Sequence, residues 1–429
     1  MILLKLRLLK VRQLNVMLRK LFLILTLGCL TLVAHNQTRN LDFYLNEAIR
    51  NSPLLNDYRN QIGLAATDSL IIGATRKPLV EAKSSLLYSP YYHNFGYDEV
   101  ITDGGNYTAV LGVSQNIFNK RAVKNRYDAV DIQKRAVNNS SKISTNELKK
   151  IITDQYLTAY SGYTDFKFNE SFLELFMKEN EIVKHFVKNG VVKQTDYLSF
   201  LVESQTQEIL VNQIKNQYVK DLLVLSQLCG LNDTGWYELV DPELQILGTP
   251  EINKSPSFIQ YKIDSIRIEN EKLAIDIQYK PKINWFADAG FLTSNPWNFY
   301  RHFGYSAGLS LNIPVYDGKQ KTLSKQKLEF DENSRKGYEN NFRIQYFQQV
   351  QQLDIELKSL NEMSVQILNQ LKTSEQLVTA LKNQLEAGII QMTEYINAVK
   401  NFKTASRNIN LINIQKLQVI NQMNFLLTQ

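Results

Sequence analysis

Cysteine is nearly absent: the 429-residue chain has two, Cys29 and Cys229, too few for a disulfide framework. Histidine is as scarce, and His35, His93, His185 and His302 are scattered without metal-ligand spacing. No nucleophile elbow, phosphate-binding P-loop or dinucleotide fingerprint occurs, so no catalytic, cofactor or metal site is expected. Nine prolines leave room for long uninterrupted helices. Beyond residue 34 there is no apolar run of helix length, so any later membrane crossing must be made by strands.

The formal charge of +7 suggests a nucleic-acid partner, but Lys5, Arg7, Lys10, Arg12, Arg19 and Lys20 all precede residue 35 with no acid among them. Without those six the balance is about +1, so the basic excess is a targeting feature and no nucleic acid is expected. Arg19 and Lys20 precede the apolar run Leu21 to Ala34, which reads as a signal-peptide core, with Met17 a candidate start. Cleavage after Ala34, or lipid modification at Cys29, are the two open ends of that segment.

What is present is a duplication. GVVKQTDYL, Gly190 to Leu198, returns as GIIQMTEYI, Gly388 to Ile396, pairing Thr195 with Thr393, Asp196 with Glu394 and Tyr197 with Tyr395. Each copy lies between long apolar-periodic segments, where a glycine ends one helix in the left-handed conformation and a Thr/Asp/Glu cluster starts the next. Each is the tip of a helical hairpin. Ser52-Pro53 and Lys77-Pro78 likewise return as Ser255-Pro256 and Lys280-Pro281, framing a leading helix twice.

Between leading helix and hairpin the period falls to two. Val80, Ala82, Ser84, Leu86 and Tyr88 alternate with Glu81, Lys83, Ser85 and Leu87, and Tyr107, Ala109, Leu111, Val113 and Ile117 oppose Thr108, Gly112, Ser114 and Asn116. In the second copy Ile283, Trp285, Ala287, Ala289 and Phe291 face away from Asn284, Asp288 and Gly290. Tyr305, Ala307, Leu309, Leu311 and Ile313 oppose Ser306, Gly308, Ser310 and Asn312. Apolar faces with aromatic ends, and Trp297, Phe299, Tyr300 and Phe303 in the loop between, fit a membrane wall with an aromatic girdle. The expectation is two isolated hairpins. Four strands cannot close a barrel, so copies must combine: two give about 8 strands and three about 12.

Helical spacing covers residues 41 to 76, then runs from Lys120 to Lys188, and 65 to 70 residues of helix measure roughly 100 Å. Positions 353, 357, 360, 364, 367, 371, 374, 378, 381 and 385 step by four and three, a sustained heptad that imposes knobs-into-holes packing. The resulting division is a signal peptide at 1–34, a first repeat at 35–232, a connector at 233–255 and a second repeat at 256–429. Each repeat carries a strand hairpin, at about 78–118 and about 281–316, then two long helices, at about 120–188 and 195–230 and at about 318–386 and 393–427.

Asp196 and Glu394 have an ordinary reading as first-turn acids that offset unpaired amides and the helix dipole. Symmetry adds a second: tips from both repeats and all copies converge on an axis, making carboxylate rings that select cations.

The whole mature chain resembles the TolC-like outer-membrane efflux protein family. The most specific match is NIPVYDGKQ, Asn312 to Gln320, where a barrel strand becomes a tunnel helix; Pro314 lacks a ladder donor, and Asp317 or Gly318 can open the helix. The first copy reads NIFNKR instead, with Asn119 as its cap. The resemblance implies a mainly α fold with transmembrane β structure: a homotrimer whose 12-stranded β-barrel in the outer membrane of a Gram-negative bacterium continues as an α-helical periplasmic tunnel. It implies passive conduction for efflux or type I secretion, without cofactor. Its partners would be outer-membrane lipid, a periplasmic adaptor docking on the tips at Gly190, Val191, Gly388 and Ile389, and through it an inner-membrane RND or ABC transporter. Asp196 and Glu394 map onto the aperture acids. The next acidic position is Asn397 here, and a basic position of the family is Ile390. The competing reading is a periplasmic or secreted coiled-coil scaffold without conduction.

Overall fold

The computed structural model describes residues 39–90, 95, 104–117 and 120–428. The expected signal segment with Cys29, His35 after it, the loop residues Tyr91, Tyr92, His93, Tyr97 and Asp103, and the cap expected at Asn119 lie outside the described residues. The chain forms two compact units. A sheet unit takes Ser52–Lys150, Gln245–Ser359 and Val419–Gln429; a tip unit takes Ile151–Leu244, Leu360–Gln418 and the described part of Met1–Asn51.

The helical spacing of residues 41 to 76 resolves into two helices, α1 (Leu41–Asn51) and α2 (Pro53–Ala74). Ser52 between them is extended and its hydroxyl accepts from the Leu55 amide, while Pro53 at the first helical position has no N–H to leave unpaired. The duplicated pair does the same: Ser255 Oγ accepts from the Phe258 amide at 3.2 Å and Pro256 opens a later helix, α5 (Pro256–Gln278).

In the sheet unit β1 (Leu79–Ser89), β2 (Gly104–Ile117), β3 (Lys282–Thr293) and β4 (Phe303–Asn312) make one antiparallel sheet in the order β1-β2-β3-β4. This corrects the expectation of isolated hairpins. β2 and β3 pair along their length, from Tyr107 opposite Thr293 to Ile117 opposite Ile283, since a free ladder edge on each hairpin finds its partner in the other. The register aligns the apolar face in rungs: Val80, Val113, Ala287 and Ala307 form one, and Ala82, Leu111, Ala289 and Tyr305 the next. The opposite face carries Glu81, Gly112, Asp288 and Ser306, with Ser306 Oγ donating to Asp288 Oδ1 at 2.8 Å. The apolar face has no cover: Tyr305 is 90% exposed, Leu86 80% and Leu309 76%.

The long helices are α3 (Lys120–Lys188), α4 (Gln194–Leu228), α6 (Gln320–Glu386) and α7 (Met392–Thr428). Along α6 the heptad positions are the sheltered ones. Leu353, Leu360, Ser364 and Leu385 are buried, and the six between them half-buried, while Ile355, Val365, Leu368 and Leu377 off the seam stay exposed.

The connector is fixed within the tip unit by Arg39, whose backbone bridges to Leu239 and whose guanidinium meets Asp233 Oδ2 at 2.6 Å over the Tyr237 ring. The Tyr237 hydroxyl and the Gly235 amide both donate to Asp233 and hold its carboxyl down to about 2. Cys229 is a free, buried thiol donating to the Tyr44 carbonyl at 3.4 Å, and burial pushes it up to about 12.

Candidate aperture and docking tips

Both tips end their first helix in the same way. At Gly190 (φ +71°) the Val191 amide reaches back to the Phe186 carbonyl at 2.9 Å and the Gly190 amide to Val187 at 3.1 Å. At Gly388 (φ +69°) the Ile389 and Gly388 amides reach Gln384 and Leu385, each at 2.9 Å. These are two Schellman motifs, which need a residue free to turn left-handed, and this places glycine at both positions.

The tips of the two repeats meet. A Cβ at Gly388 would lie 3.6 Å from Val191 Cγ1, and behind this contact Phe172, Phe176, Phe200, Met392, Tyr395 and Ile396 are buried in one apolar cluster. Val191 and Ile389 remain exposed at its end, Ile389 by 73%.

Asp196 and Glu394 occupy the first turns of α4 and α7. Lys193 at the N-cap of α4 supplies no side-chain acceptor, and Asp196 stands half-exposed in the first turn, where a carboxylate offsets the helix dipole. Glu394 is exposed, and Asn397 one turn further is exposed as well. The structure thus brings the two hairpin tips together within one chain and places the two acids at matching points on them. Pro314, Asp317 and Gly318 belong to the sheet unit. There Asp317 caps α6: its two carboxylate oxygens accept from the Lys319 amide at 2.9 Å and the Lys321 amide at 2.8 Å, and Gly318 and Lys319 both turn left-handed. The Lys321 amide, with the Tyr279 hydroxyl, lowers the Asp317 carboxyl below its ordinary range.

Sequence reasoning missed a buried polar group behind the tips. Glu179 on α3 is 6% exposed, and its Oε1 accepts from the Tyr395 hydroxyl of α7 at 2.6 Å and lies 3.5 Å from Lys382 Nζ of α6. Among the described residues its Oε2 has no hydrogen-bond partner, and Glu179 borders a cavity of about 20 Å³, room for roughly one water. Further along, Gln207 donates to the Asn169 carbonyl at 3.0 Å and accepts from Lys403, whose ammonium is lowered by burial. The only signal for Tyr395 was its pairing with Tyr197 in the repeat; nothing marked Glu179.

The four-stranded sheet and the two long helical hairpins make up a fold that solved outer-membrane channels share. Among solved structures the chain is similar to CusC, at TM-score 0.74 and 12% identity over 92% of this chain and 93% of that one. It is similar to the outer-membrane protein VceC of Vibrio cholerae at TM-score 0.71 and 13% identity, over 90% of this chain and 95% of that one. The outer-membrane channel MtrE of Neisseria gonorrhoeae, in its open state, matches at TM-score 0.70 and 10% identity over 90% and 88%. By sequence, no family description and no curated relative matches.

Proposed function

We propose that this chain is the outer-membrane duct of a tripartite efflux or type I secretion system, passively conducting cargo through a wall shared among three copies. The observation that carries this reading is the sheet: its apolar face is bare, and its edge strands β1 and β4 leave a row of backbone donors and acceptors unpaired on each side. In water such a surface aggregates; in lipid it is stable only if the edges close on other copies. Two copies would give about 8 strands, a barrel that side chains fill, whereas three give about 12 and leave a lumen. Likeness to channel structures supports an outer-membrane, non-enzymatic role.

Within that duct the helices continue into the periplasm, the exposed Val191 and Ile389 tips receive an adaptor, and Asp196 with Glu394 line the entrance. Leu198, Val202 and Ile209 of α4 are exposed at helical spacing, a seam suited to a neighbouring copy. Energy comes from an inner-membrane pump joined through the adaptor. The test is recording from the purified protein in planar bilayers: discrete conductance steps are expected, and a water-soluble, non-conducting monomer would favour a scaffold.

A further inference from the structure

The end of the sheet that joins the helices is ringed by cations. At the four junctions stand Arg76 and Lys77 before β1, Lys120 and Lys124 after β2, Lys280 and Lys282 around the start of β3, and Lys319, Lys321 and Lys325 after β4. Beside them the last rung of the apolar face, Ile117 opposite Ile283 opposite Leu311, is exposed on all three strands. Apolar side chains give way to basic ones within a few residues, as they would where a bilayer's acyl region meets its headgroups.

At one junction the ring becomes a cavity. An open cavity of about 620 Å³ lies between the end of α2 and the start of α3, lined by Arg76, Lys120, Lys124, Ile117, Val123 and Tyr127 among others, and no carboxylate of the described residues lines it. Its floor is fixed because Gln115 Nε2 donates to the Arg76 carbonyl at 2.8 Å. Among the described residues no carboxylate pairs with Arg76 or Lys120; Lys124 meets Asp128 at 2.8 Å, but the lysine is 76% and the aspartate 41% exposed, and such a surface pair is weak. At the fourth junction, by contrast, Asp276 holds Lys321 at 3.0 Å and Lys325 at 2.8 Å, so the charge there is partly neutralised within the chain.

We propose that the Arg76, Lys120 and Lys124 cavity binds the headgroup phosphate of an anionic glycerophospholipid in the leaflet beside the helices, with Ile117, Val123 and Tyr127 against its glycerol and first methylenes. The inference rests on reading the sheet as a membrane wall. A cationic pocket next to an apolar rung suits an amphiphile better than a free anion, which has no use for the apolar side. The bound lipid would fix the depth at which the wall sits.

The experiment reconstitutes the full chain in phosphatidylcholine vesicles with and without phosphatidylglycerol, then counts retained phosphatidylglycerol per chain by native mass spectrometry. Lys120→Gln with Lys124→Gln should lower retention about fivefold per cation removed. Arg76→Gln alone should act likewise, while Lys120→Arg with Lys124→Arg should retain lipid as the parent does. Exposed lysines elsewhere, Lys358→Gln and Lys372→Gln, should change nothing. Unchanged retention in the double glutamine variant overturns the site, as does displacement of the lipid by millimolar inorganic phosphate, which would make it a free-anion pocket. Failure of the parent chain to resist carbonate extraction from membranes would instead overturn the wall itself.

Discussion

The Tyr395 hydroxyl donates to Glu179 Oε1 at 2.6 Å, joining the helix that follows the second tip to the helix that precedes the first. The bond is buried, and among the described residues the carboxylate it satisfies has only Lys382 besides. Tyr395→Phe removes the donor and leaves a poorly paired charge inside the apolar cluster. A loss of about 1–3 kcal/mol is expected in denaturant unfolding of the helices. Glu179→Gln, which keeps an acceptor for the hydroxyl, should cost less.

The same pair sets a pH dependence. Burial, and then the Glu179 carboxylate, raise the Tyr395 phenol above its ordinary value of 10.0. A raised folded-state value means that the folded chain holds the proton more tightly than the unfolded chain does. This contribution is full below about pH 10 and is lost as pH rises through the folded value. The parent should therefore lose stability in alkali more steeply than Tyr395→Phe; parallel curves would contradict the assignment. Tyr156 and Tyr218, also raised by burial, contribute equally to both proteins and cancel in the comparison.

Gly388 tests the tip. A methyl there makes only ordinary contact with Val191, at 3.6 Å, so Gly388→Ala should be penalised by its left-handed backbone and not by a clash. The expected cost is about 1–2 kcal/mol in the same unfolding measurement. Gly388→Asn, which tolerates that conformation, should recover part of it.

Much of this was legible in sequence because alternation and heptad spacing act locally. Tyr305, Ala307 and Leu309 share a face in any strand, and Leu353, Leu360 and Leu385 lie on one stripe of any helix. The pairing of β2 with β3 was not legible, since nothing within either hairpin specifies the neighbour of its outer edge. The break at Ser52 was marked by the returning Ser-Pro pair alone, since the apolar stripe continues across the proline that restarts the helix. Glu179 reads as one more acid on a charged helix; only the approach of α6 and α7 buries it. The tips and Asp317 were visible because glycine and capping residues declare backbone conformation directly. Asp196 and Glu394 read as first-turn acids in one chain, and a ring of them would be a property of several copies, which no local pattern encodes.

For those two acids, Asp196→Asn combined with Glu394→Gln should lower the cation preference of single-channel current, read as a shift in reversal potential across a salt gradient. Unchanged selectivity would leave them as first-turn acids with no part in an aperture.

Lipid exposure of the apolar face is tested by arginine. Placed at Ala287 or Leu309, it should hinder outer-membrane assembly by about 2–4 kcal/mol at mid-depth. At Ser306, on the face shared with Asp288, the effect should be far smaller. Equal effects on both faces would reverse or abolish the assignment of inside and outside.

The most direct measurement is electron cryo-microscopy of the full chain in lipid nanodiscs. Three copies are expected, with β4 of each hydrogen-bonded to β1 of the next and Tyr305 and Leu309 turned to the acyl chains. A single copy whose sheet is covered by its own chain, away from lipid, would contradict the account.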